Sequence, residues 1–172
     1  MKFKILCIAA AGLFFSCQNN GSSKAEDTAR KYFEVYSARK DYNQMKSFYN
    51  DSVEYENVIQ NTSTIKFETN YLLNTLFAFN DKQLVYDKGE MFNVKEIISN
   101  DTLAIVNGEF NSYTFNGFTF APMKFTTYLY FDKDFKIKKQ VDWFNYPIGD
   151  LIELYQLEQQ KGINTSPTDS IQ

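Results

Sequence analysis

ARKYFEVYSARKDYNQMKSFYNDSVEYEN, residues 29–57, changes its periodicity partway along, and that change sets the fold class. Just upstream, Ser23 and Glu26 form a capping box, which satisfies backbone N–H groups left open at a helix start. Ala25, Ala29, Tyr32, Phe33 and Tyr36 recur at helical spacing, so the first helix carries an apolar stripe to about Arg39. Asp41, with Gln44 three residues on, opens a second short helix with Met45, Phe48 and Tyr49 on its inner face. From Ser52 to Asn57 the period drops to two, the mark of a strand. Alternation turns Val53, Tyr55 and Asn57 inward and Glu54 and Glu56 outward.

Downstream, a third helix is expected over 66–79, buried through Phe67, Tyr71, Leu72, Leu76 and Phe79. Strands follow at 91–98, 102–115, 118–131 and 135–144, separated by "SND" at 99–101, "NG" at 116–117 and "DKD" at 132–134. Asn116-Gly117 is a hairpin signal, because a two-residue turn of that type needs positive φ at both positions. Gly108 and Pro122 interrupt the two long strands and mark bulges or bends. On the last strand, alternation sets Ile137, Val141 and Trp143 on one face and Asp142 with Phe144 on the other. Pro147 opens a final helix with Ile148, Leu151, Ile152 and Tyr155 on one face, and Gly162 ends it. Residues 163–172 read as a disordered tail. Helices first and a strand meander after them make an α+β domain over 24–162, with no internal repeat.

The N-terminus reads as an address. Lys2 and Lys4 precede an apolar run from Ile5 to Phe15, which is shorter than the roughly 20 residues a bilayer crossing needs. A charged start, a short apolar stretch and small residues are the parts of an export signal. Leu13-Phe14-Phe15-Ser16-Cys17 resembles the lipobox of bacterial lipoproteins. That resemblance implies cleavage after residue 16, a diacylglycerol on the Cys17 thiol and an acylated new N-terminus, with fatty acids such as palmitate. The alternative is an ordinary secretory signal. Cys7 and Cys17 are the two cysteines, and Cys7 would leave with the leader, so the mature chain has no internal disulfide. Residues 17–23 then form a flexible tether between membrane and domain. The expected location is the bacterial envelope, anchored in the outer or cell membrane, with the domain outside the cytoplasm.

Removing the first 16 of 172 residues leaves 156, one domain's worth, and losing two lysines takes the net charge from −3 to −5. No basic block stands out, so nucleic acid is not an expected partner. There is no histidine, which excludes Ser-His-Asp and Cys-His catalysis and, with the remaining cysteine at the anchor, the usual zinc sites. Asp132 and Asp134 lack the other ligands of a calcium loop and read as a hairpin turn. Neither metal nor cofactor is expected. Aromatic residues make up 17% of the chain, enough to build a core and still line a cavity.

The stretch 29–57, with Phe48-Tyr49-Asn50-Asp51-Ser52-Val53 leading into the first strand, resembles the opening of NTF2-like domains. That group contains nuclear transport factor 2, SnoaL-like polyketide cyclases and ketosteroid isomerases. "DKDFKIKKQVDWFNYP", residues 132–147, is similar to the same family's last strand. The resemblance covers about residues 25–160. It implies a cone, in which a curved antiparallel sheet wraps the helices and leaves a pocket at its open end, and it implies that a homodimer through the sheet is plausible.

The pocket residues follow from that resemblance. Tyr32 matches the tyrosine that helps form the isomerase oxyanion hole. The isomerase base matches Glu56 without gaps, or Asn57 with one residue of slip; an asparagine cannot be a general base. In the cyclases an aspartate on a late strand does acid–base work, and Asp142 matches it. A carboxylate among aromatics would have a raised pKa and exchange protons near neutral pH. The expected ligand-binding set is Tyr32, Tyr36, Tyr55, Asn57, Asp142 and Trp143. Two functions fit: a non-enzymatic module holding a small apolar ligand or a protein partner, or a cofactor-free isomerase or cyclase using Asp142 with a tyrosine donor. An Asp142 inside an aromatic-lined pocket, within reach of a tyrosine hydroxyl, would separate them.

Four Asp–Ser/Thr–aliphatic triplets, placing Thr28, Ser52, Thr102 and Ser170 in the middle, resemble O-glycosylation acceptors of some Gram-negative envelope proteins. Asp-Ser and Asp-Thr also serve turns and helix starts.

Overall fold

The computed structural model describes residues 23–58, 65–87, 89–115 and 117–160. The leader, Cys17, the tether up to residue 22, Asn116, Gly162, the tail 163–172 and Ser170 lie outside the described residues.

Helix α1 spans Lys24–Ala38, and the Ser23 hydroxyl accepts from the Glu26 N–H at 3.1 Å at its start. It ends where Arg39 turns left-handed at φ 50 and its N–H bonds to the Val35 carbonyl. Helix α2, Tyr42–Ser47, is capped by Asp41, whose carboxylate accepts from the Gln44 N–H at 2.8 Å. Strand β1, Tyr49–Asn57, begins earlier than its alternation indicated, so Tyr49 belongs to the strand and not to α2.

The expected third helix is largely replaced. Residues Ile65–Glu68 form β2, which pairs antiparallel with β1 through Val53 and Phe67. Backbone pairing with a neighbouring strand overrides the local helical period. The chain then makes a short helix α3, Thr69–Tyr71, and a π-helical turn, Leu72–Leu76, closed by the Phe77 N–H to the Leu72 carbonyl at 2.9 Å. Leu72, Leu73 and Phe79 are buried, whereas Tyr71 and Leu76 are 50% and 44% exposed.

Strands β4 (Phe92–Ser99), β5 (Leu103–Phe110), β8 (Met123–Phe131) and β9 (Ile137–Phe144) complete a six-stranded sheet in the order β2-β1-β9-β8-β5-β4. Pairing is antiparallel except between β1 and β9, which run parallel. The two long strands expected at 102–115 and 118–131 each split. Their outer parts, β6 (Tyr113–Phe115) and β7 (Phe118–Phe120), pair with β3 (Val85–Tyr86) in a separate small sheet. Asn111 gives its backbone N–H to Met91 and its side-chain amide to the Glu90 carbonyl, which ties down one break. Pro122, with no N–H to donate, stands at the other. Pairing of Phe115 with Phe118 leaves a two-residue loop, and Gly117 in it has φ +80.

Gly108 sits opposite a register irregularity between Val94 and Glu96 of β4. A Cβ there would meet the Asn93 carbonyl oxygen at 2.4 Å and the Phe125 ring at 2.8 Å. Only a glycine lets the strands come this close where the sheet bends.

On β9 Asp142 and Phe144 share a face and Trp143 takes the other, as alternation predicts, but Ile137 is out by one step. Tyr130 pairs with Lys139 but Phe131 pairs with Ile137, so Lys138 is bulged out of the ladder. One extra residue inverts the faces on either side of it. Ile137 therefore shares the inner face with Gln140, Asp142 and Phe144, while Trp143 points to the convex side, 50% exposed.

Helix α1 lies in the concave face, burying Ala25, Ala29, Tyr32, Phe33 and Tyr36. Phe33 stacks on Phe125 of β8 at 5.4 Å and meets Phe92 of β4 edge-on at 5.2 Å. Each buried ring of this kind contributes about 1.5–3 kcal/mol. The final helix α4, Ile148–Gln160, turns its expected stripe outward: Ile148, Leu151, Ile152 and Tyr155 are exposed, and Leu154 packs on the core instead. Asp150 fastens this helix by accepting the Ala121 N–H at 2.7 Å.

Candidate functional site

Three neighbouring strands put Asn57 (β1), Asp142 (β9) and Thr127 (β8) side by side, because Asp142 is in register with both of the others. All three are buried. The Thr127 hydroxyl donates to Asp142 Oδ1 at 2.6 Å, and Gln140 Nε2 donates to Oδ2 at 2.9 Å. Tyr55, one alternation step along β1, stands close enough to interact with the same carboxylate. Burial raises the Asp142 carboxyl from 3.8 to about 6, and the donors Thr127, Gln140 and Tyr55 oppose that rise.

Behind Asp142 lies a second layer. Gln140 Oε1 accepts from the Tyr49 hydroxyl at 2.7 Å and lies 3.1 Å from the Tyr32 hydroxyl, and the two hydroxyls are 2.8 Å apart. Two protons serve three contacts, and the shortest distances select a chain: Tyr32 donates to Tyr49, Tyr49 to Gln140, and Gln140 to Asp142. Burial, aided by neighbouring negative charge, pushes Tyr32, Tyr36, Tyr49 and Tyr55 well above 10, so all four stay protonated.

Asp142 forms part of the wall of a cavity of about 490 Å³ enclosed by the sheet, helix α1 and the π-helical turn. Tyr36, Tyr55 and Asn57 of the expected set line it. Tyr32 does not: it is fully buried behind Gln140 and reaches Asp142 only through that amide. Trp143 does not either, because it points away from Asp142. Glu56 sits outside, 3.9 Å from Lys139. The wall also takes Phe77, Tyr86, Tyr113, Phe144 and Tyr146, none of them expected from the sequence. Phe77 is placed by the Arg39 guanidinium, which donates to the Phe77 carbonyl at 3.2 Å and also to Ala78. Thr75 and Leu76, both exposed, mark the mouth. Gln140 and Thr127 also went unread: Gln140 was within reach as the residue two before Asp142 on the same face, but Thr127 needed the register of β8.

Of the expected acceptor hydroxyls, Thr28 is inside α1 and donates to the Lys24 carbonyl at 2.8 Å. Ser52 lies in β1 opposite Glu68. Thr102 is exposed in the turn before β5, near Asn100. Among the described residues no group of three or more His, Cys, Asp or Glu could hold a metal, and no helix is long and apolar enough to cross a membrane.

This architecture is shared with solved structures. An NTF2-like protein from Burkholderia thailandensis E264 superposes with a TM-score of 0.56 at 13% identity, over 76% of this chain and 95% of that one. The fold is NTF2-like. A protein with a ketosteroid isomerase-like fold from Catenulispora acidiphila DSM 44928, crystallised in complex with trimethylamine, superposes at 0.55 with 8% identity, over 77% of this chain and 92% of that one. TerC, co-crystallised with polyporic acid, superposes at 0.54 with 16% identity, over 77% of this chain and 98% of that one. No protein-family model and no curated protein matches the sequence.

Proposed function

We propose that this chain is a lipid-anchored protein of a bacterial envelope whose NTF2-like domain binds a small, mostly apolar ligand. The observation that carries the reading is the aromatic cavity of about 490 Å³ with one carboxylate, Asp142, set into its wall. That volume lies within the ~300–1,000 Å³ of small-molecule sites, and apolar walls with a few placed polar groups are their usual make-up. The anchor rests on Leu13–Cys17 and on the otherwise unpaired Cys17. Two solved structures of this fold carry small organic molecules, trimethylamine and polyporic acid.

Native mass spectrometry of the mature protein extracted from its own membranes tests this. A small molecule should travel with the wild type and be lost from Thr75→Trp, which adds bulk at the exposed mouth without touching the core. Retention of the same mass by that variant would place binding elsewhere.

The second reading is cofactor-free proton transfer by Asp142, with Tyr55 as the donor beside it. The placing of Tyr55 and Asp142 in the same cavity wall and a carboxyl at about 6 favour it. In that case Asp142→Asn should cost about a hundredfold or more in turnover while binding persists. A pure binding module has no turnover to lose.

A further inference from the structure

The charge of the cavity wall selects among ligands, an inference that rests on the binding reading above. Among the described residues Asp142 is the only lining residue with a formal charge. Among the described residues, the side chains around the carboxylate on the elements packed against it are neutral. Thr127 belongs to β8, Gln140 to β9, Tyr49 and Tyr55 to β1, and Tyr32 and Tyr36 to α1, with Tyr146 beyond the end of β9. The Arg39 guanidinium is turned to the carbonyls of Phe77 and Ala78 and lies over the Phe79 ring at 5.5 Å. A buried carboxylate without a cation is costly, and a positively charged ligand would supply the missing partner.

The rings beside Asp142 suit a cation as well. Tyr55, beside the carboxylate, stands edge-on to Phe77 at 5.3 Å, and Phe77 lies nearly parallel to Tyr36 at 5.2 Å. Tyr55, Phe77 and Tyr36 thus line the same wall as one negative charge, and aromatic rings attract ammonium groups. Hydrogen-bond capacity narrows the class. A carboxylate accepts about four hydrogen bonds, and Thr127 and Gln140 already supply two. A primary ammonium brings three donors to this corner, more than the carboxylate can satisfy. A tertiary ammonium brings one and a quaternary ammonium none. We infer that the cavity takes a tertiary or quaternary ammonium carried on an apolar body.

Isothermal titration of the full mature protein with three shape-related probes tests this: phenyltrimethylammonium, its neutral isostere tert-butylbenzene, and benzoate. At pH 8 the cation should bind roughly tenfold or more tighter than the isostere, and benzoate weakest of all. The preference should shrink as pH falls through about 6 and Asp142 takes up its proton. In Asp142→Asn the cation and the isostere should come within about threefold of each other. Because the comparison of probes is made on the unaltered protein, it holds whether or not that variant folds. Equal affinity for cation and isostere in the wild type, or tighter benzoate, overturns the ammonium assignment and leaves a ligand-binding cavity standing. Absence of binding by all three overturns the assignment too; the binding reading itself then fails only if no native ligand is found with the extracted protein.

Discussion

Gln140 Nε2 donates to Asp142 Oδ2 at 2.9 Å, so the carboxylate in the cavity wall is held by the amide two residues before it on the same strand face. The other end of that amide accepts from Tyr49. Gln140 therefore couples the cavity to the buried base of helix α1, and its orientation is dictated: the oxygen must meet hydroxyls and the nitrogen must meet the carboxylate.

The pH dependence of stability follows from Asp142. Its folded pKa, about 6, lies above its ordinary 3.8, so the folded state holds the proton more tightly. The associated stability is fully present below pH 4 and is lost as pH rises through about 6, a loss of about 3 kcal/mol for one group. Asp142→Asn removes the titration. Tm measured from pH 4 to pH 8 should fall more steeply for the wild type than for the variant. Parallel curves would mean that the carboxyl titrates as it does in the unfolded chain.

Gln140→Leu should be one of the more damaging single changes in the domain. It leaves Tyr49 without its acceptor and strips one donor from Asp142, both in a buried setting. The expected loss is roughly 2–4 kcal/mol by chemical denaturation. Tyr32→Phe, which removes only the outermost hydroxyl of the chain, should cost about 1 kcal/mol. Equal effects would show that the three groups do not act in series.

Two glycines should respond oppositely to alanine. Gly108→Ala drives a methyl into the Asn93 carbonyl and the Phe125 ring, and should cost about 2–3 kcal/mol. At Gly149, in α4, nothing lies within 4 Å of the added carbon, and alanine should be neutral or stabilising by up to about 1 kcal/mol. Thermal melts of the two variants check both signs.

The anchor has its own test. Cys17→Ala should leave the precursor uncleaved at this site and remove the protein from the detergent-extractable membrane fraction. Wild-type fractionation by the mutant would show that something other than a lipid holds the protein at the membrane.

Several features were legible because they depend on neighbours in the chain. The Ser23 and Asp41 caps, the stripe of α1, the inward set Val53, Tyr55 and Asn57, and the two-residue loop at 116–117 are all local, and the described parts of each stand where local chemistry puts them. The order of elements was enough to indicate an NTF2-like cone. The sequence alone also excluded histidine-based catalysis, since the residue is missing.

What only the tertiary structure decided depends on partners distant in sequence. Residues 65–68 became a strand because β1 offered them a backbone ladder. Lys138 bulged out of β9 because β8 and β1 fixed the register on both sides, and that single residue brought Ile137 onto the face of Asp142. Tyr55 rather than Tyr32 lines the cavity with the carboxylate, because Gln140 stands between Tyr32 and Asp142. Local periodicity specifies a face only as long as every residue takes its place in the ladder, and whether one is left out is settled by strands some distance away along the chain.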